Sequence, residues 1–199
     1  MKQIKIGVIG ENSNDVRAVV GLLKQDFSTN IEYFEILHKV NGSLLDQGKG
    51  EKAAELAKAE FHRLKLDFVL YIRDLDSLAN DFVKIEYRSA IFTKILENVQ
   101  RKAIFMLNIY EIEALILADF EVFKTYYNRT DWHFDNKKAA ESPDSKGVLS
   151  SFSNKNTDIT KILPLLHIPI IIQNHIHFKA FVENFDAMLI GKAYRFIPL

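Results

Sequence analysis

The chain has no cysteine. Disulfides, thiolate zinc sites and cysteine nucleophiles are therefore excluded. It has no net charge either, with 26 Lys and Arg against 26 Asp and Glu. That balance argues against a protein that coats nucleic acid through bulk charge, although a local basic groove stays compatible with it. No apolar run reaches the roughly 18 residues of a membrane span. The first ten residues, Met1 to Gly10, read as a buried strand rather than a secretory signal. A cytoplasmic location without a membrane partner is the expectation. Internal repeats and low-complexity tracts are also missing.

What is present is enough apolar sequence for a core: 48% of 199 residues are hydrophobic, including 15 phenylalanines. Ile4 to Ile9 is a β-branched run ending at Gly10. Asn12, Ser13 or Asn14 can cap the helix that follows, where Val16, Val19, Val20 and Leu23 recur at helical spacing. A second strand is expected over Ile31 to Leu37, a glycine-bearing loop over Asn41 to Gly50, and an Ala-rich helix over Glu51 to Leu64. Asp67 to Ile72 and Ala103 to Leu107 read as strands, with a long helix from Asn80 to Arg101 between them. Glu111 to Asp119 reads as a short apolar helix.

Strands alternating with helices imply an α/β fold, a Rossmann-like and mostly parallel sheet flanked by helices. Two parts are expected: an α/β core over residues 1–125, and a small helical C-terminal extension over 126–199 packed on it. Within the extension, Asp131 to Asn156 is polar and reads as a long, partly ordered loop. Two helices should end the chain, the second carrying the stripe Phe178, Phe181, Val182, Phe185 and Leu189. The phenylalanines fall on such stripes and read as core, not as platforms for bases.

Parallel sheets bind ligands at the carboxyl ends of their strands. Acids gather there in this sequence: Glu11 after the first strand, Asp74 and Asp76 after the third, Glu111 and Glu113 after the fourth, with Asp119 one helix on. On an extended chain Asp74 and Asp76 point to the same side, and Glu11 lies about 5 to 10 Å away on a nearby strand. Carboxylates so close raise each other's pKa, and a hard cation removes that cost. Magnesium suits one or two carboxylates plus waters and phosphate oxygens. Taken singly, a Glu after a strand is an ordinary turn residue and an Asp-x-Asp an ordinary cap. The joint pattern is what points to a divalent metal.

This arrangement resembles the Toprim fold, the catalytic domain shared by topoisomerases, bacterial primases and OLD-family nucleases. The Toprim pattern is a Glu after the first strand and Asp-x-Asp after the third, matched by Glu11 in VIGENSND and Asp74/Asp76 in LYIRDLDS. Asp15 matches a second acid found four residues after that Glu in many branches. The stretch NIYEIEALILAD, Asn108 to Asp119, resembles the E-x-E-A-(W/L)-L-L-x-D signature of an uncharacterised Toprim-like bacterial family, several of whose relatives sit in phage-defence systems. The resemblance spans about residues 4–119. Looser likeness continues over Ser142-Pro143 to Leu149 and the helix from Phe178 to Leu189. One departure is Asn12, where many members have Gly for a tight turn; Asn tolerates positive φ better than most residues.

The resemblance implies phosphodiester hydrolysis with Mg²⁺ or Mn²⁺, that is, a nuclease with DNA or RNA as its partner. Glu11, Asp74 and Asp76 would hold the metal, with Glu113 completing its shell; Glu11 is alternatively a general acid or base. Glu111 and Asp15 are lesser candidates, and Asp119 would orient a neighbouring group. Arg73 and Arg88 can hold a phosphate, though an ion pair with a carboxylate is the plainer role. Lys137, Lys138, Lys146, Lys155 and Lys161 form a candidate phosphate-backbone contact zone, or simply a solvated face. His175 and His177 can share a face of a strand as metal ligands, but at the start of a helix they read as capping or surface residues.

Three rivals compete with the nuclease. A glycosyltransferase of the GT-A type also uses Asp-x-Asp after a strand, but does not require Glu11. A phosphoacceptor receiver domain needs an acid pair ending the first strand, where Val8 to Gly10 carries none. A catalytically idle Toprim-like module working beside a partner ATPase is the third.

Overall fold

The computed structural model describes residues 3–27, 30–37, 50–154 and 157–191. Four strands, β1 (Ile4–Ile9), β2 (Ile31–Glu35), β3 (Phe68–Asp74) and β4 (Ala103–Asn108), form one sheet. Their order is β2-β1-β3-β4, and every neighbouring pair is parallel. Three helices make the crossovers: α1 (Ser13–Asp26), α2 (Gly50–Leu64) and α3 (Phe82–Asn98). The expected alternation and the α/β class are thus found. β3 runs two residues past Ile72, so Asp74 is the last residue of the strand. The expected loop at residues 41–49 lies outside the described residues, and Gly50 opens α2.

Alternation along the strands builds two cores. Val16, Val19, Leu22 and Leu23 of α1 pack with Ile6, Val8, Leu70 and Ile72 on one face. Ala53, Ala57 and Phe61 of α2 and Phe92 and Ile95 of α3 pack with Ile9, Val69 and Tyr71 on the other. The chain therefore winds outward from the middle of the sheet, with its helices on opposite faces. The change of direction falls between β1 and β3, the place where such sheets open a crevice for ligands.

The C-terminal part is more helical than its composition suggests. After β4 come α4 (Ala114–Ala118), α5 (Phe120–Tyr126), a 3-10 turn (Asn136–Glu141), α6 (Ser145–Ser153), α7 (Ile159–Ile162), a second 3-10 turn (Leu163–Leu165), α8 (Ile168–Asn174) and α9 (Ile176–Leu189). The expected loop over Asp131 to Asn156 is corrected: it holds a 3-10 turn and a capped helix, with Trp132, Ala139 and Leu149 buried. More than the two expected helices follow it. These elements cover the α1 face. Phe185 of α9 is fully buried, edge-on to Phe27 and Phe68 at 5.1 and 6.1 Å between ring centroids. Gly21 permits α1 to lie against Pro164; a Cβ there would come within 2.5 Å of the proline ring. Among the described residues, no helix is long and apolar enough to cross a membrane.

Candidate functional site

Register sets the site. Ile9 pairs with Tyr71, so Glu11, two residues on, comes level with Arg73. The Glu11 carboxylate meets the Arg73 guanidinium at 3.0 Å. Asp74 pairs with Asn108 at the ends of β3 and β4, and Asn108 Nδ2 donates to Asp74 Oδ1 at 2.9 Å. The turn after Glu11 does not use a positive φ. Asn12 is extended, at φ −150°, and its side chain caps α1 by accepting the N–H groups of Asn14 and Asp15 at 2.8 and 3.1 Å. The expectation that Asn stands in for a left-handed glycine here is thereby corrected.

Beyond the strand ends the chains stay paired. Leu75 N–H donates to Asn108 O, Asp76 N–H to Tyr110 O and Tyr110 N–H to Ser77 O, at 2.8, 3.0 and 3.3 Å. Asp76 and Tyr110 are left-handed, with φ of 52° and 59°. Each such residue costs on the order of 1 kcal/mol or more, and held strain of this kind gathers near functional sites.

This geometry gives the two members of the Asp-x-Asp pair different partners. Asp74 lies on the strand face of Leu70 and Ile72, toward α1. Asp76 leaves the strand in a left-handed turn and pairs with Arg88 of α3 at 2.9 Å. The expectation that both point to the same side is corrected, because extended geometry stops before Asp76. Arg73 and Arg88 take the plainer of their two roles, as ion-pair partners of Glu11 and Asp76.

Four of the carboxylates gathered here have a raised pKa. Burial pushes Asp74 well above the usual range; the Asn108 hydrogen bond opposes this, while Glu11, Asp15 and Glu113 add to it. Burial raises Asp15 to about 6, against the Asn12 hydrogen bond and with help from the Glu11 charge. Glu113 is raised by burial and, less, by Glu111 and Asp15, with Lys146 opposing. Glu11 is raised by burial, with Arg73 and Arg88 opposing and Asp76 adding. β1, α1, β3 and the turn before α4 thus bring Glu11, Asp15, Asp74 and Glu113 to one edge. Besides Arg73 and Arg88, Lys146 of α6 acts on Asp15 and Glu113 of this group, and its backbone N–H donates to Glu111 Oε2 at 3.0 Å. Glu111 therefore ties the start of α6 to the site.

Other expected residues lie elsewhere. Asp119 does orient a group, but that group is His167. Lys137 and Lys138 are exposed on the first 3-10 turn, Lys161 pairs with Asp158, and Lys155 lies outside the described residues. His175 caps α9, accepting the Phe178 N–H at 3.2 Å, yet it is buried rather than on the surface. His177 is half-buried. Most described phenylalanines are buried, but Phe82 is 70% exposed, beside exposed Val83 and Leu78. Asn108 was not singled out in the sequence, although the strand-end rule that found Asp74 applies equally to its register partner.

Among the described residues, no group of three or more His, Asp or Glu side chains converges tightly enough to hold a metal by itself. A dedicated protein cage for zinc or calcium does not fit. The donor set fits magnesium better, since that ion uses one or two carboxylates and takes its other oxygens from water and substrate. Comparison with family models, curated proteins and solved structures finds no match for this chain.

Proposed function

We propose that the β1/β3 switch point is a divalent-metal site for phosphodiester hydrolysis, of the kind found in the Toprim nucleases that the motifs resemble. The observation that carries this reading is the group Glu11, Asp15, Asp74 and Glu113: four carboxylates at one strand edge, all with raised pKa. Such a group is costly without a cation. Glu11 and Asp74 would hold Mg²⁺ or Mn²⁺, with Asp15 and Glu113 beside them. The bound ion would supply charge stabilisation at the scissile phosphate and acidify a water. Asn108 fixes the Asp74 carboxylate. Lys146 offers its ammonium to a non-bridging phosphate oxygen. Arg73 and Arg88 hold Glu11 and Asp76 in place.

The test is cleavage of plasmid, single-stranded DNA and RNA with Mg²⁺ or Mn²⁺. Cleavage should vanish in excess EDTA and in Asp74→Asn, with the circular dichroism spectrum unchanged. Cleavage that survives either treatment would rule the mechanism out. A second reading, a nucleic-acid-binding module that does not cut and works beside an ATPase, is favoured by one observation. Ion pairs to Arg73 and Arg88 already neutralise Glu11 and Asp76, two of the three motif acids. Binding without cleavage, with and without an ATPase encoded nearby, would favour that reading.

A further inference from the structure

A groove of about 700 Å³ opens between α5 and the turn leading into α8, and none of Glu11, Asp15, Asp74 and Glu113 is among its lining residues. Its volume falls within the range of small-molecule sites. Val122, Tyr126, Leu165 and Ile170 give it apolar walls, and Asp119 and His167 line it as well. Leu165 and Tyr126 are 49% and 41% exposed, so these apolar side chains face solvent rather than core.

The polar feature of the groove is built rather than incidental. The Asp119 side chain is 4% exposed, whereas that of His167 is 62% exposed. One oxygen of Asp119, Oδ2, accepts two bonds from the same residue: the His167 backbone N–H at 2.8 Å and the ring Nδ1 at 2.9 Å. The backbone bond alone would suffice to anchor the start of α8. The second bond fixes the ring. An ionised carboxylate can only accept, so Nδ1 is the donor of this bond, and in the neutral tautomer that this fixes Nε2 is the acceptor. An imidazole with one nitrogen held by a buried carboxylate and the other left as acceptor is the arrangement of an oriented general base.

The charge of the lining narrows the ligand. Asp119 and Glu121 are its charged carboxylates, and no Lys or Arg is among the lining residues. Lys124 beside the groove is committed to Glu121 at 2.8 Å, so an anion would meet the two carboxylates and find no cation among the lining residues. A neutral molecule with an apolar body and one hydroxyl would satisfy both the walls and Nε2.

We propose that this groove is a second ligand site, in which Asp119 and His167 form a proton-accepting dyad for a neutral, mainly apolar, hydroxyl-bearing small molecule. It is independent of the phosphodiester reading, and either can fail without the other. The His167 ring binds the ligand hydroxyl through Nε2, and Asp119 is the positioning residue behind it.

Benzyl alcohol, toluene and benzoate are suitable probes, because they share a ring and differ in the polar group. The full-length chain is titrated with each, and binding is read from the backbone amide resonances of Val122, Thr125 and Leu165. Benzyl alcohol should give saturable shifts and bind about fivefold more tightly than toluene, the worth of one net hydrogen bond. Benzoate should bind weakest. In His167→Phe the preference for the alcohol over toluene should disappear; His167→Gln serves if that variant does not fold. Imidazole ¹⁵N shifts in the wild type should place the proton on Nδ1. The opposite tautomer, equal binding of toluene and benzyl alcohol, tightest binding of benzoate, or a preference that survives loss of His167 would each overturn the proposal. So would the absence of saturable shifts with every probe.

Discussion

The ring of His175 is 2% exposed, and its Nδ1 accepts the Phe178 N–H that starts α9. Burial, with a smaller push from His177, holds its pKa down at about 4, against 6.5 in the unfolded chain. Between these values the unfolded state binds a proton that the folded state refuses. Stability therefore falls as pH drops from 6.5 to 4, by about 3 kcal/mol in total from this residue. Asp15 works in the opposite sense. Its pKa is raised from 3.8 to about 6, so the folded state takes the proton first and acidification relieves its cost. Because the raised acids of the strand edge pull the other way, the His175 contribution is read as a difference: across this window the urea midpoint of the wild type should fall, on acidification, relative to that of His175→Asn, which keeps a capping side chain but cannot titrate. Coincident profiles would place the titration elsewhere. Position in the sequence revealed the capping role of His175, because it precedes a helical stripe. Its burial was not legible, since that depends on what α9 packs against. Asp76 shows the same limit: its place after a strand was readable, its left-handed backbone was not.

Short helices hid behind their own caps. Asp135, Asp144 and Asp158 each accept a backbone N–H at the start of a 3-10 turn or helix, from Lys137, Gly147 and Thr160 at 3.2, 2.8 and 3.2 Å. In sequence these Asp, Ser and Pro clusters read as loop, because the residues that cap helices are also those that make turns. The long helices escaped this ambiguity through their sustained apolar periodicity. α6 gives the sharpest test. Gly147 donates to Asp144, and a Cβ on Gly147 would collide with that same carboxylate. Gly→Ala inside a helix normally gains up to about 1 kcal/mol. Here Gly147→Ala should destabilise, and Asp144→Ala should cost about 1 kcal/mol as a lost cap. The double variant should be more stable than the sum of the two, since removing Asp144 removes the clash. Urea denaturation of the four proteins measures this coupling, and strict additivity would mean that the cap is not made.

At the scale of the molecule, the sheet and its crossovers were legible because alternation of strands and helices leaves few topologies open. The strand-end acids followed from that order. The face covered by the tail was not legible: a stripe such as Phe178, Phe181 and Phe185 announces burial without naming its partner. The tail proves to share the core of the α1 face. Phe185→Ala should therefore cost about 3 to 5 kcal/mol, as a fully buried aromatic in the main core. A fragment of residues 1–125 should lack a cooperative unfolding transition, because Val19, Leu70 and their neighbours lose their cover; a cooperative fragment would show that the tail is dispensable. The site depends on this packing as well, through Lys146 and the Glu111 tether on α6.

The metal site is tested most directly by calorimetric titration of Mn²⁺ into wild type, Asp74→Asn and Asp76→Asn. Asp74 is half-buried, with its pKa raised beside Glu11, Asp15 and Glu113, whereas Asp76 is exposed and paired with Arg88. Asp74→Asn should fold at least as stably as the wild type, because it removes an acid whose ionised form is disfavoured. Its Mn²⁺ affinity should nevertheless fall by about tenfold or more, while Asp76→Asn changes affinity by only about twofold to threefold. Equal affinities in wild type and Asp74→Asn, or a greater loss in Asp76→Asn, would contradict a metal site at the β1/β3 switch point.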